Sequence, residues 1–237
     1  MIFACDAQMR ETRVADLAFQ VESAAPVRHA MAPLLAFTLR VDVQPAGGDD
    51  GCVRIGAIAL NCQVRIEPAR RRYSAAEQAR LFDLFGPPAE WGRTVQPMLW
   101  AHVPALVPQF QGSTRFELPT PCTGDMNAAA GRYFAALDEG DVPLRLLFSG
   151  TMFYVNGAGM LQVNPISWEK EAEYRLPLRT WREVVDQYFP ESGWLCVRRD
   201  LLDELSQYRR RHGLPTWEQA IEHLWAAPQE AGEEVAR

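Results

Sequence analysis

Cysteine, histidine and long apolar runs are scarce in this chain, and each scarcity closes off a class of function. Its 237 residues hold five cysteines, scattered, odd in number and without a CxxC pair. That usage points to free thiols in a reducing cytoplasm rather than a disulfide framework. Cys52 and Cys62 would stand roughly 30 Å apart along an extended strand, too far to bond. No run approaches the ~20 apolar residues a membrane-spanning helix needs. The start, Met1-Ile2-Phe3-Ala4-Cys5, carries no basic leader, and Arg10, Glu11, Arg13 and Asp16 follow it, so no secretory signal is expected. The formal charge of -6 argues against nonspecific nucleic-acid binding, because that binding runs on phosphate neutralisation.

Catalytic and cofactor signatures are missing too. His29, His102, His212 and His223 offer no pair at the spacing of metal ligands, so no metal is expected. Asn156-Gly157-Ala158-Gly159 reads as a hairpin turn rather than a phosphate loop, and no cofactor is implied. Phe148-Ser149-Gly150-Thr151 lacks the first glycine of a nucleophile elbow. It reads as a central strand in which Gly150 allows close approach of a neighbour.

What is present is a strong architectural pattern. Apolar residues make up 48% of the chain and aromatics 10%, enough for a core without disulfides or metal. Leu17, Phe19 and Val21 mark a first strand. Leu35, Phe37, Leu39, Val41 and Val43 alternate with Ala36, Thr38, Arg40, Asp42 and Gln44, a half-buried strand. In the next run, Val53, Ile55 and Ala57 share one parity while Ile58, Leu60, Cys62, Val64 and Ile66 share the other. A period-2 strand can bury both sets only with an extra residue, which predicts a β-bulge near Gly56–Ile58.

Ser74-Ala75-Ala76-Glu77 is a capping box for a helix to Phe85, ended by Gly86-Pro87-Pro88. The order repeats downstream. Leu144–Tyr154 and Leu161–Leu176 are strand-like, and Thr180-Trp181-Arg182-Glu183 reads as a second box opening a helix to Phe189. Either the chain duplicates one unit, or hairpin-then-helix is simply a common arrangement. Asp200 is placed to cap a helix ending near His212 and Gly213, and Thr216 opens another.

The expected fold class is α+β and β-dominated, with long antiparallel hairpins in one or two twisted sheets, packed helices and a helical C-terminus. One globular unit is expected over 14–226, with halves at 14–90 and 112–190 and C-terminal helices at 200–226. Residues 1–13 read as an arm and 227–237 as a disordered acidic tail.

Few residues are candidates for a site. Cys122 and Asp125 lie in a polar, turn-rich stretch, Pro119–Asp125. A nucleophilic Cys122 would need a base or helix N-terminus to lower its pKa. No catalytic residue is assigned, and a small-molecule enzyme using Cys122 or Asp125 is the alternative to a binding protein. Arg71 and Arg72 either bind something or lead into a helix. Glu169, Glu171 and Glu173 form one acidic face, able to meet a basic partner. Trp91 is one of seven tryptophans. Core is the default for each, and an exposed one would suit an interface.

From Asp16 to Trp225 the chain resembles an uncharacterised bacterial protein family of unknown function. The resemblance is carried by Gln63–Glu67, Arg71-Arg72-Tyr73, Leu84-Phe85-Gly86, Trp91, Pro121-Cys122-Thr123, Val142-Pro143-Leu144, Phe148–Thr151 and Leu176-Pro177. It implies a gene neighbourhood of uptake nickel-iron hydrogenases. It therefore implies an accessory or assembly role, with a hydrogenase subunit or maturation factor as protein partner. The order of elements is similar to that of the export chaperone SecB, a holdase. A homo-oligomer is compatible with either likeness.

Overall fold

The structure is a computed structural model that describes residues 16–44, 53–122, 128–155, 159–190 and 197–234. The chain divides into two compact units, Met1–Ser192 and Gly193–Arg237. The C-terminal helices fall within the second unit.

The first unit holds strands β1 (Asp16–Pro26), β2 (Leu34–Gln44), β3 (Arg54–Ile66), β4 (Met98–Val107), β5 (Phe110–Gln111), β6 (Ser113–Pro121), β7 (Asp141–Val155), β8 (Leu161–Pro165) and β9 (Glu171–Pro177). Its helices are α1 (Ala75–Arg80), α2 (Phe82–Phe85), α3 (Trp91–Thr94), α4 (Ala128–Ala135) and α5 (Leu178–Tyr188). The second unit holds α6 (Arg199–Arg211) and α7 (Trp217–Glu234). The fold is α+β with antiparallel sheets, as the alternation predicts.

A three-stranded sheet runs β1-β2-β6, and a six-stranded sheet is built on the order β4-β3-β7-β8. In the second sheet β5 also pairs with β3, and β9 with β7. The two sheets share one core. Phe37 of β2 meets Trp100 of β4 and Tyr174 of β9 edge-on, and Phe19 of β1 stacks on Phe148 of β7 at 4.3 Å. Phe134 of α4 bridges Trp100 and Trp181 of α5, stacking on the latter at 4.8 Å. Such aromatic pairs add to the burial of their large apolar area.

Two local predictions hold in detail. The register of β3 against β7 shifts between Ile55 and Ala57, so Gly56 is the extra residue. Ile55 and Ile58 are both fully buried as a result. Gly150 pairs with Leu60 at φ 138°, a region that only glycine occupies readily. A Cβ there would lie 2.0 Å from the Ala59 carbonyl oxygen.

Other expectations are corrected. The runs 35–43 and 53–66 do not pair as a hairpin, because β2 and β3 belong to different sheets. The later run 161–176 splits into β8 and β9, and both pair with β7 in one sheet. The two halves therefore do not repeat one arrangement. The helix expected over 74–85 breaks into α1 and α2 at Leu81. Thr180 is not a cap: α5 begins at Leu178, whose N–H is held by the Gly140 carbonyl at 2.8 Å, with extended Pro177 before it. Pro177 presets that entry, so the chain turns helical before the threonine is reached. Asp200 lies inside the first turn of α6 and pairs with Arg198 at 3.4 Å instead of capping. Helix α7 takes in part of the segment read as a tail. The N-terminal arm, Cys52, the 156–158 turn and residues 235–237 lie outside the described residues.

In the second unit, Arg209 lies 4.4 Å from the Trp217 ring, and the Tyr208 hydroxyl meets His223 Nδ1 at 2.5 Å. The His212 and His223 rings approach to 5.0 Å. Sequence spacing alone does not reveal that convergence, because α6 and α7 bring the rings together. Among the described residues no third His, Cys, Asp or Glu joins them to form a metal site.

Candidate functional site

Two regions of the first unit hold the residues of interest. One is an arginine clasp beside an open cleft, the other the outer face of the six-stranded sheet.

The clasp begins with the Ser74 capping box. The Glu77 N–H donates to Ser74 Oγ at 3.1 Å, and the Ser74 N–H donates to Glu77 Oε2 at 2.9 Å. The same carboxylate accepts from the Asp138 N–H at 2.9 Å and from Arg71 Nη2 at 2.7 Å. Arg71 also donates to the carbonyls of Glu139 at 2.6 Å and Asp141 at 2.8 Å. Both side chains of the pair are nine-tenths buried or more. Burial by itself pushes the Glu77 carboxyl up. The Asp138 and Ser74 N–H groups and the Arg71 guanidinium outweigh it and hold the carboxyl below its usual range. Arg71 thus joins the turn before α1 to the turn before β7. Its Nε is buried without an acceptor. Its guanidinium lies 5.6 Å from the Tyr73 ring, and Trp91 meets that ring edge-on at 5.3 Å.

The cleft beside this clasp measures about 750 Å³ and is lined by Arg70–Ser74, Glu77, Asp138–Asp141 and Arg175. Arg70 is spent on Glu173 through two contacts of 2.5 and 3.0 Å. Arg72 is exposed and, among the described residues, has no hydrogen bond or ion pair. Four arginines (Arg70, Arg71, Arg72, Arg175) and four carboxylates (Glu77, Asp138, Glu139, Asp141) line the cleft, so its charges balance. Arg71 therefore serves the fold, and Arg72 is left solvated.

Cys122 stands apart, just past β6, with its N–H on the Pro33 carbonyl at 2.9 Å. Burial pushes its thiol up to about 12, so it is not a thiolate at neutral pH. Cys62 is likewise pushed up to about 12 by burial. Asp125 lies outside the described residues. The predicted site residues thus fall into two places: Arg71, Arg72 and Trp91 around Tyr73, and Cys122 on the other sheet. Two of the three stripe carboxylates are spent internally, since Glu173 pairs with Arg70 and both Glu171 and Glu173 lie within 4 Å of Arg145, while Glu169 precedes β9.

Sequence reasoning missed the outer face of the six-stranded sheet, because both parities of β7 are apolar. Register now separates them. Near the clasp the outer residues are mixed: Gln63 lies between His102 and Leu147, and Arg65 between Leu99 and Arg145. Toward the far end they become apolar. Ala59 lies between Leu106 and Thr151, and Thr151 opposes Pro165. Phe153 lies between Ala57 and Val163, and Val155 opposes Leu161. Leu106, Leu161 and Val163 are 71%, 65% and 55% exposed. Arg54 at the tip is the one charged side chain of this end among the described residues. Trp168, 84% exposed, stands in the loop after β8.

The described residues thus define an α+β fold whose six-stranded antiparallel sheet has an apolar outer end. The chain belongs to a family of unknown function, DUF6084, whose model matches residues 14–233. No curated protein matches it. Among solved structures it has a likeness to the ApaA protein of Bordetella pertussis, at 14% identity and a TM-score of 0.22. That match covers 68% of this chain and 93% of that one. A β-glucosidase from Kluyveromyces marxianus matches at 12% identity and a TM-score of 0.20, covering 68% of this chain and 15% of the enzyme. At such scores neither likeness bears on fold or function. No helix among the described residues is long and apolar enough to cross a membrane.

Proposed function

We propose that this protein is a non-enzymatic accessory factor of the chaperone-like kind, binding another polypeptide during assembly. The observation that carries the reading is the apolar end of the outer sheet face, where Leu106, Val163 and Leu161 are exposed around half-buried Phe153 on neighbouring strands, among the described residues. Exposing such a face costs solubility unless a partner covers it for part of the time. The half-buried Cys122, with its raised thiol pKa, gives no support to nucleophilic chemistry. A subunit or maturation factor of a nickel-iron hydrogenase is the partner we put first, on the family resemblance described above.

The test is recovery from the native host growing on hydrogen, with the chain tagged at its C-terminus. The expected result is stoichiometric hydrogenase subunit or maturation factor with the native sequence, and its loss with Phe153→Asp. Recovery of this chain without either would overturn the hydrogenase assignment. Equal recovery by both sequences would remove the sheet face from the reading.

A further inference from the structure

The exposed edge of β8 carries an inference independent of any hydrogenase partner. Strand β8 pairs only with β7 among the described residues, and it does so without a register break from Leu161 to Pro165. The Ile166 N–H donates to the Gly150 carbonyl at 2.9 Å in the same register, so Ile166 and Gly150 are a hydrogen-bonded pair. Antiparallel pairs alternate. Asn164–Met152 and Gln162–Tyr154 are therefore hydrogen-bonded pairs, and Val163–Phe153 and Leu161–Val155 are not. The N–H and C=O groups of Val163 and Leu161 consequently point away from β7, toward the open edge. No backbone or side-chain partner meets them among the described residues.

The same two residues have their side chains exposed on the apolar outer face. Sheet edges are ordinarily protected by charge, proline, a bulge, shortness or a covering element. Strand β8, Leu161-Gln162-Val163-Asn164-Pro165, is short and ends in a proline, but it has no charge and no bulge. A strand added here must put apolar residues opposite Leu161 and Val163, and polar ones opposite Gln162 and Asn164. The sequence of β8 itself meets that requirement when reversed about Val163. Leu161 then faces Pro165, Val163 faces Val163, and Gln162 faces Asn164. The only N–H lost is that of Pro165, and with no charge on either strand nothing repels.

We propose that this edge binds a second copy of the chain, β8 to β8, antiparallel about a twofold axis through Val163. Each Val163 exchanges both backbone hydrogen bonds with its counterpart, and each Leu161 N–H reaches the opposite Pro165 carbonyl. The contact is isologous and closes as a dimer. It joins two sheets edge to edge and makes their apolar outer ends one continuous surface.

The experiment is analytical ultracentrifugation of the full chain with two variants. Val163→Pro removes the central edge N–H without touching a bond to β7, and it should raise the dimer dissociation constant by about tenfold or more. Val163→Cys leaves the backbone intact. Hydrogen-bonded antiparallel partners have Cα atoms about 5.5 Å apart, inside the range a disulfide spans. Oxidation should then yield a dimer in which mass spectrometry joins residue 163 to residue 163. A dimer that Val163→Pro weakens and Val163→Cys locks supports the proposal. A chain that stays monomeric across the micromolar range overturns it. So does a dimer in which Val163→Cys fails to cross-link at that position, whether or not the proline variant folds. None of these outcomes depends on hydrogenase recovery, so the two ideas fail separately.

Discussion

The six-stranded sheet has two unlike ends. Near the turn before β7, charge is spent on pairs: buried Arg71 on Glu77 and two carbonyls, exposed Arg70 on Glu173, and Arg145 among Glu67, Glu171 and Glu173. At the other end, beyond the row of Leu106, Ala59, Thr151 and Pro165, only Arg54 is charged among the described residues, and edge backbone groups and apolar side chains are left over. The first end is built to hold segments distant in sequence together. The second leaves surface and hydrogen-bonding capacity unspent. Fold stability should therefore depend on the first end and association on the second.

The largest effect is expected between the two, where β7 crosses β3. Gly150→Ala forces a Cβ against the Ala59 carbonyl in a backbone region closed to alanine. A loss above about 4 kcal/mol is expected, so little soluble protein should be recovered. A well-folded variant by circular dichroism would show that the close approach can relax.

Next comes the clasp. Glu77→Ala strands the buried Arg71 guanidinium and two backbone N–H groups, at about 3–5 kcal/mol by urea unfolding. A loss no larger than that of a surface residue would erase the contrast between the ends. Acid should reach the same site. The Glu77 carboxyl is held below its ordinary 4.5 in the folded chain, so its contribution is complete above that value and fades as pH falls through the folded pKa. Unfolding free energy should drop more steeply with acidification in the native sequence than in Glu77→Gln. Parallel pH profiles would rule the linkage out.

Smaller steps sharpen the picture. Ser74→Ala removes one helix-capping acceptor and should cost about 1 kcal/mol. Arg72→Ala, in the same cleft but without a partner among the described residues, should change stability by less than about 0.5 kcal/mol. If Arg72→Ala costs as much as Ser74→Ala, the cleft uses its exposed arginine in a way the geometry does not account for.

What could be read in advance was local. The bulge at Gly56 follows from a change of parity within one strand. The capping box at Ser74 lies within four residues, and the glycine at 150 stands out in an apolar run. What could not be read was long-range. Arg71 was noticeable as part of a basic triplet, but besides Glu77 its acceptors are backbone carbonyls 68 and 70 residues away, and carbonyls carry no sequence signature. The partition of β2 and β3 into separate sheets depends on partners, β6 and β7, that alternation cannot name. The apolar end of the outer face was hidden because β7 is apolar on both parities where it leaves the polar end.

The extra residue at Gly56 also acts as a parity check on assembly. A strand of uniform alternation can slide two residues along its neighbour and still bury the right side chains. Strand β3 cannot, because its two segments are out of step and only one alignment with β7 buries both Ile55 and Ile58. A slipped pairing would leave an isoleucine in water, so the central pair of the sheet carries its own penalty against misalignment.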